Sequence, residues 1–149
     1  RSAEGAEIDP GEIYRYLSYT GPYVDLPEQL TAWELLGFHL KFKSFQKGLS
    51  KEGFLQMTFL ENSKNKQIKD FSSGMKQRLK LGLAICSETS LLLLDEPCSN
   101  LDRSGVKMYH QLMESYANDR LIIIGSNEQK DEIIGTTETI NIMDFKPEN

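Results

Sequence analysis

Apolar residues along this chain follow two periods, and the change from one to the other outlines its architecture. Residues 91–94 (Leu-Leu-Leu-Leu) and 121–124 (Leu-Ile-Ile-Ile) are unbroken apolar runs, the pattern of strands covered on both faces of a parallel sheet. Residues 139–143 read as a further strand, and the aromatic and β-branched stretch 13–20 as an earlier one that stops at Gly21-Pro22. Helical spacing appears between them. Thr31 with Glu34 forms a capping box and opens a helix expected to reach Lys43, and a second helix is expected within 51–60. Ser72 or Ser73 caps a helix whose apolar stripe is Met75, Leu79 and Leu83, four residues apart. Asp102 caps another, with Val106, Tyr109, Leu112, Met113 and Tyr116 facing inward. Strands alternating with helices predict an α/β fold with a mainly parallel sheet. The stretch 31–71 contains no strand and reads as a helical insertion, while residues 1–11 are polar and expected to be poorly ordered.

Composition narrows the class. With 149 residues, 26% charged and 39% hydrophobic, the chain has the make-up of one globular domain. A net charge of -5 supplies no basic surface, so nucleic acid is not an expected partner. Between Glu61 and Lys80, however, six Lys or Arg face only two acids, and this run borders a glycine-containing turn suited to an anion. Cys86 and Cys98 lack zinc-ligand spacing and read as reduced thiols of a cytosolic protein. The apolar runs are far shorter than the ~20 residues that span a bilayer, and residues 1–10 do not form a signal peptide. The absence of an initial Met points to a fragment or a processed chain.

Three motifs carry chemistry. The run 91–94 ends in Asp95-Glu96-Pro97, which sets two carboxylates at the C-terminal edge of a sheet, where open α/β folds bind ligands. Neither acid suits a core, since an unpaired buried carboxylate is costly. Asp95 suits a Mg²⁺ ion and Glu96 suits a water that must lose a proton. Upstream, Phe71-Ser72-Ser73-Gly74-Met75-Lys76-Gln77-Arg78 starts an amphipathic helix whose free N–H groups and serine hydroxyl form an anion pocket. Downstream, Ser99-Asn100-Leu101-Asp102 turns the chain into the next helix. His39 and His110 lie too far from these motifs to be ligands, and Trp33 reads as a packing residue or an exposed contact for a partner.

In this order and spacing the motifs resemble the ABC ATPase family over nearly the whole chain. Residues 71–75 look like its signature, 91–96 like Walker B and 99–102 like the D-loop. The resemblance implies a P-loop NTPase-like core with an α-helical subdomain: 1–27 as the remainder of the ATP-binding core, 28–80 as the helical subdomain and 81–149 as the C-terminal part of the core. It implies Asp95 on the Mg²⁺ side, Glu96 as catalytic base, and Ser72, Ser73 and Gly74 at the γ-phosphate of an ATP held by a second subunit. Asp102 belongs to the D-loop, and Asn127 fills the slot of the family's switch histidine. The implied protein is a cytoplasmic subunit, peripheral to a membrane, that hydrolyses ATP as a head-to-tail dimer and meets a permease through its helical subdomain.

Departures from the pattern define the alternatives. None of the eleven glycines belongs to a G-x-x-x-x-G-K-[ST] sequence, so the phosphate-binding P-loop is expected before Arg1. In the family the strand leading into that loop neighbours the 91–94 strand, so an open hydrophobic edge is expected there. Gly21-Pro22 stands where the family has its Q-loop glutamine, and Asn127 cannot carry a proton as histidine does. These two features favour a degenerate, non-hydrolysing ABC domain acting as a nucleotide-gated interaction module, whereas the Asp95-Glu96 pair favours hydrolysis. A soluble, non-transport ABC ATPase is the third reading; the compact helical insertion, in place of a long coiled coil, disfavours it.

Overall fold

A computed structural model describes residues 7–127 and 130–145. Its centre is a three-stranded parallel sheet in the order β1-β2-β3, formed by Leu17–Thr20, Leu91–Asp95 and Leu121–Gly125. Among the described residues it is accompanied by the α-helices α1 (Ala32–His39), α2 (Lys51–Met57), α3 (Ser73–Cys86) and α4 (Arg103–Tyr116). The α/β class and the strand-free helical stretch read from the sequence are both present. The expectation for residues 1–11 falls partly on residues outside those described.

Local chemistry explains where the elements begin and end. Asp9 accepts a hydrogen bond from the Gly11 N–H at 2.7 Å and Pro10 presets a helical φ, so Pro10–Arg15 forms a 3-10 turn. The strand expected over 13–20 therefore starts only at Leu17. The capping box of α1 is complete: Glu34 N–H donates to Thr31 Oγ1 at 3.2 Å, and Thr31 N–H donates to Glu34 Oε2 at 2.8 Å. That helix closes at Leu40 rather than at Lys43. Phe59 adopts a left-handed φ of 56°, which ends α2 before Leu60. The strand expected over 139–143 is not formed. Met143 N–H instead donates to Asn141 Oδ1 and Ile142–Phe145 makes a 3-10 turn, because an apolar stretch without a ladder neighbour gains nothing from extending.

Strand β2 corrects a second expectation. Its register runs Leu91 to Leu17 on one side and Leu91 to Leu121 on the other, so both of its edges are occupied from within this chain. No outside strand adjoins β2, and the open ladder edges belong to β1 and β3. Nor is β2 covered on both faces. Leu92 and Leu94 are buried against the helices, whereas Leu91 and Leu93 are only half-buried. Tyr19 (48% exposed), Leu121 (63%) and Ile123 (53%) share that second face by register, which is an apolar surface open to solvent.

Helix α3 is buried almost all round instead of along the single stripe of Met75, Leu79 and Leu83. Leu79, Leu81, Ala84, Ile85 and Cys86 are buried, while Met75 and Leu83 are half-buried. It packs against the sheet, α4 and the helical segment together. A Cβ on Gly82 would stand 2.7 Å from both Phe54 Cζ and Thr58 Cγ2, so glycine is what lets α2 approach α3. Arg120 joins the ends of α3 and α4 by donating to the carbonyls of Ile85, Ser87 and Tyr116. His39 adds a polar link. Ser87 Oγ donates to Leu83 O at 2.6 Å, so His39 Nε2 carries the hydrogen that it gives to Ser87 Oγ at 2.8 Å.

Two outcomes follow from this packing. In urea unfolding, Leu92→Ala is expected to cost roughly 2–5 kcal/mol, as a buried leucine does, while Ile123→Thr changes stability by less than about 0.5 kcal/mol. Equal losses would mean that the β1-β2-β3 face is covered in this chain. Burial, aided by nearby Lys43, lowers the His39 pKa from 6.5 to about 4. The unfolded chain then binds a proton that the fold excludes, so stability declines as pH falls from 6.5 towards 4. Chemical denaturation across that window should show the decline in the wild-type chain and a shallower one in His39→Gln.

Candidate functional site

Parallel strands send their C-terminal ends to one edge of the sheet, so Gly21, Asp95-Glu96 and Gly125 to Asn127 converge there. Asp95 is paired in register with Gly125. A Cβ on Gly125 would stand 3.0 Å from Asp95 Oδ1, and one on Gly21 would stand 3.1 Å from Asp95 Cβ. Two glycines therefore leave room on either side of this carboxylate, which is half-buried.

Glu96 leaves the strand sharply. Its N–H still donates to Gly125 O at 2.9 Å, but its own φ is 44°, a left-handed conformation uncommon for a non-glycine residue. The turn is held by Ser99 N–H donating to Glu96 O at 3.0 Å. The side chain meets Asn127, whose Nδ2 donates to Glu96 Oε1. Two residues picked out separately in the sequence thus form one contact.

The next residues connect this edge to α3. Gln77, buried in the first turns of α3, donates to Pro97 O at 3.0 Å. A Cβ on Gly74 would stand 3.3 Å from Asn100 O, so the start of α3 lies directly on the segment after the carboxylates. Asp102 then caps α4, accepting from Gly105 N–H at 2.7 Å and Ser104 Oγ at 2.8 Å. These bonds, the Gly105 N–H foremost, lower its pKa.

Ser72, Ser73 and Gly74 gather at the N-terminus of α3. Ser72 is the cap, accepting from Met75 N–H at 3.2 Å, and Ser73 is exposed. Ser73, Lys76 and Lys80 of α3 line a cleft of about 650 Å³ together with Pro22, Asp25 and Asn100. Part of the basic run is used internally there. Lys76 pairs with Glu28 at 2.5 Å, and Lys80 donates to Gly21 O at 3.0 Å. Trp33, half-buried on α1, carries Lys51 at 3.6 Å from its ring centre.

Sequence reasoning missed two residues of this region. Gln77 was quoted within the 71–78 motif without a role of its own, and its burial depends on Pro97 arriving from another element. Glu132 lies after β3, outside the three motifs. It is fully buried, with Oε1 accepting from Cys98 N–H at 3.1 Å and Oε2 from Ser126 Oγ. No periodicity marks either residue, because both contacts are long-range.

The sequence pattern of the family described as ABC transporter matches residues 16–99. An ABC transporter ATP-binding protein of Bacillus subtilis, YcbN, is 32% identical over 87% of this chain and 44% of its own length. The bacitracin transport ATP-binding protein BcrA of Enterococcus faecalis is 32% identical over 92% of this chain and 50% of its own length. Among solved structures, one described as an ATP binding subunit of an ABC transporter superposes with a TM-score of 0.69 at 25% identity, covering 80% of this chain and 52% of that one. The chain thus spans about half the length of these relatives. No helix among the described residues is long and apolar enough to cross a membrane. The family pattern covers more than half of the residues, and the fold and the relatives agree with it: the chain belongs to the ABC transporter ATP-binding family.

Proposed function

We propose that this chain is the signature- and carboxylate-bearing part of a subunit that hydrolyses ATP to drive a membrane transporter. The observation that carries the reading is the Asp95-Glu96 pair at the C-terminal edge of the sheet, with Glu96 turned out of the strand and held by Asn127. Glu96 accepts the proton of the attacking water and orients that water. Asn127 supplies the neighbouring donor and fixes the carboxylate's direction. Ser72, Ser73 and Gly74, at a helix start with free N–H groups, bind the γ-phosphate of an ATP held by a second subunit. Asp102 shapes the loop between the two clusters by capping α4.

Asp95 fits a Mg²⁺ ion. Its carboxylate stands between two glycines, and no group of three or more His, Cys, Asp or Glu among the described residues forms a complete metal cage. Asp95 would hold such an ion with one carboxylate, as Mg²⁺ sites commonly do. When bound it neutralises charge on the phosphates; the protein's own residues act on the water. Segment 28–80 acts as the helical subdomain that meets the permease, between core segments 1–27 and 81–149. On this reading the parent protein is dimeric when active, since the ATP is shared with a second subunit, and peripheral to the cytoplasmic face of a membrane.

A non-hydrolysing, nucleotide-gated module is the second reading, favoured by Asn127, which donates to Glu96 but cannot accept a proton in histidine's place. Turnover separates the two. In this protein completed with a P-loop, Glu96→Gln is expected to lower ATP turnover by about 10²–10⁴-fold while ATP still binds. Asn127→His should match or exceed the wild-type rate. Turnover of Glu96→Gln within a few-fold of wild type removes the general-base role, and a wild-type protein that binds but never hydrolyses ATP supports the module.

A further inference from the structure

Glu132 is a buried acid that the hydrolytic reading leaves without a task. Its relative exposure is 0%, and among the described residues no Lys or Arg forms an ion pair with it. Burying a carboxyl group away from any cation is costly, and a residue retained for packing alone has cheaper apolar replacements. What the carboxyl does is accept two hydrogen bonds from two different loops. Oε1 takes the main-chain N–H of Cys98 at 3.1 Å, and Oε2 takes the hydroxyl of Ser126.

The chain positions of those donors give the arrangement its meaning. Cys98 is two residues beyond Glu96, and Ser126 immediately precedes Asn127. Glu132 therefore bolts together the two loops whose tips make the Glu96–Asn127 contact. The bolt is itself anchored. The main-chain oxygen of Glu132 accepts the Tyr109 hydroxyl at 2.7 Å, and that of Asp131 accepts His110 Nε2 at 3.1 Å and the Cys98 thiol at 3.6 Å. Tyr109 is fully buried in α4, so the anchor reaches into the core. Such a hold is needed because Glu96 sits at φ 44°, a conformation that persists only when its surroundings over-determine it.

We infer that Glu132 is a positioning residue for hydrolysis, setting the separation and direction of Glu96 and Asn127 without touching nucleotide. This inference rests on the reading of Glu96 as general base. It assigns to the chain after β3 a structural duty towards the Glu96 carboxylate just beyond β2. Glutamine at 132 can still accept from Cys98 N–H through its carbonyl and donate to Ser126 Oγ through its amide, so it should preserve the bolt. Alanine removes the carboxylate from both contacts.

The test has two arms. In the 149-residue chain, amide NMR of Glu132→Ala should shift the Asn127 side-chain and Cys98 main-chain signals and speed exchange at Cys98 by about tenfold or more, with Glu132→Gln close to wild type. Tyr109→Phe removes only the hydroxyl that anchors Glu132 and should move the same signals in the same direction, which keeps the test valid if the alanine variant does not fold. In the protein completed with a P-loop, Glu132→Ala should lower kcat by about 10–100-fold with KM for ATP nearly unchanged, since displacement of a catalytic group costs rate rather than binding. Glu96→Gln is measured beside it. Wild-type turnover in Glu96→Gln refutes the general-base reading, whatever Glu132 does. A dead Glu96→Gln with a fully active Glu132→Ala overturns the inference alone, as do unmoved Asn127 and Cys98 signals in both Glu132→Ala and Tyr109→Phe.

Discussion

The pairing of β2 between β1 and β3 is the constraint on which the remaining structure depends. Because all three strands run the same way, their C-terminal loops must share one edge, and residues 21, 95–96 and 125–127 meet there although they are far apart in sequence. Burial on one face alone fixes the register: Leu92 and Leu94 fit under the helices, and a slip of one residue would exchange them with Leu91 and Leu93. The same register puts Gly125 against Asp95, which is what gives that carboxylate its space.

Helix α3 transmits this edge to the rest of the molecule. At its N-terminal end Gly74 and Gln77 contact the segment that follows Glu96, and one turn on, Lys80 grips the loop after β1. At its middle Gly82 admits α2 to close packing, and at its C-terminal end Arg120 ties it to α4. A displacement of the helical segment would therefore be felt by the carboxylate loop through one rigid element. The connection consists of named hydrogen bonds and close approaches at glycines.

Much of this was legible in the sequence because it depends on local or strongly periodic signals. The capping residues Thr31, Ser72 and Asp102, the apolar runs of β2 and β3, and the order of the three motifs all rest on neighbours within a few positions. What was misread needed tertiary partners. Residues 139–143 have strand-like composition but no ladder, and residues 13–16 lost their strand to the Asp9-Pro10-Gly11 turn. The burial of Gln77 and Glu132 was invisible because their partners come from other elements, and the half-covered state of β2 because a run of leucines does not say how many layers cover it. The meeting of Asn127 with Glu96 was foreshadowed by the motif order, although the direct hydrogen bond was not.

The central claim is a division of labour. On the proposed reading the carboxylates of Asp95 and Glu96 and the helix start at Ser72, Ser73 and Gly74 act from this chain, while none of its eleven glycines fits the G-x-x-x-x-G-K-[ST] pattern of the loop that grips the β- and γ-phosphates. On this account the chain contributes groups that finish a nucleotide site rather than hold one. Calorimetric titration of the purified chain with Mg-ATP tests it most directly. The account predicts no saturable heat in the micromolar range, and association appearing only when a P-loop-bearing partner is added. Micromolar binding of Mg-ATP to a monodisperse monomer would contradict it, because phosphate recognition would then reside within these 149 residues.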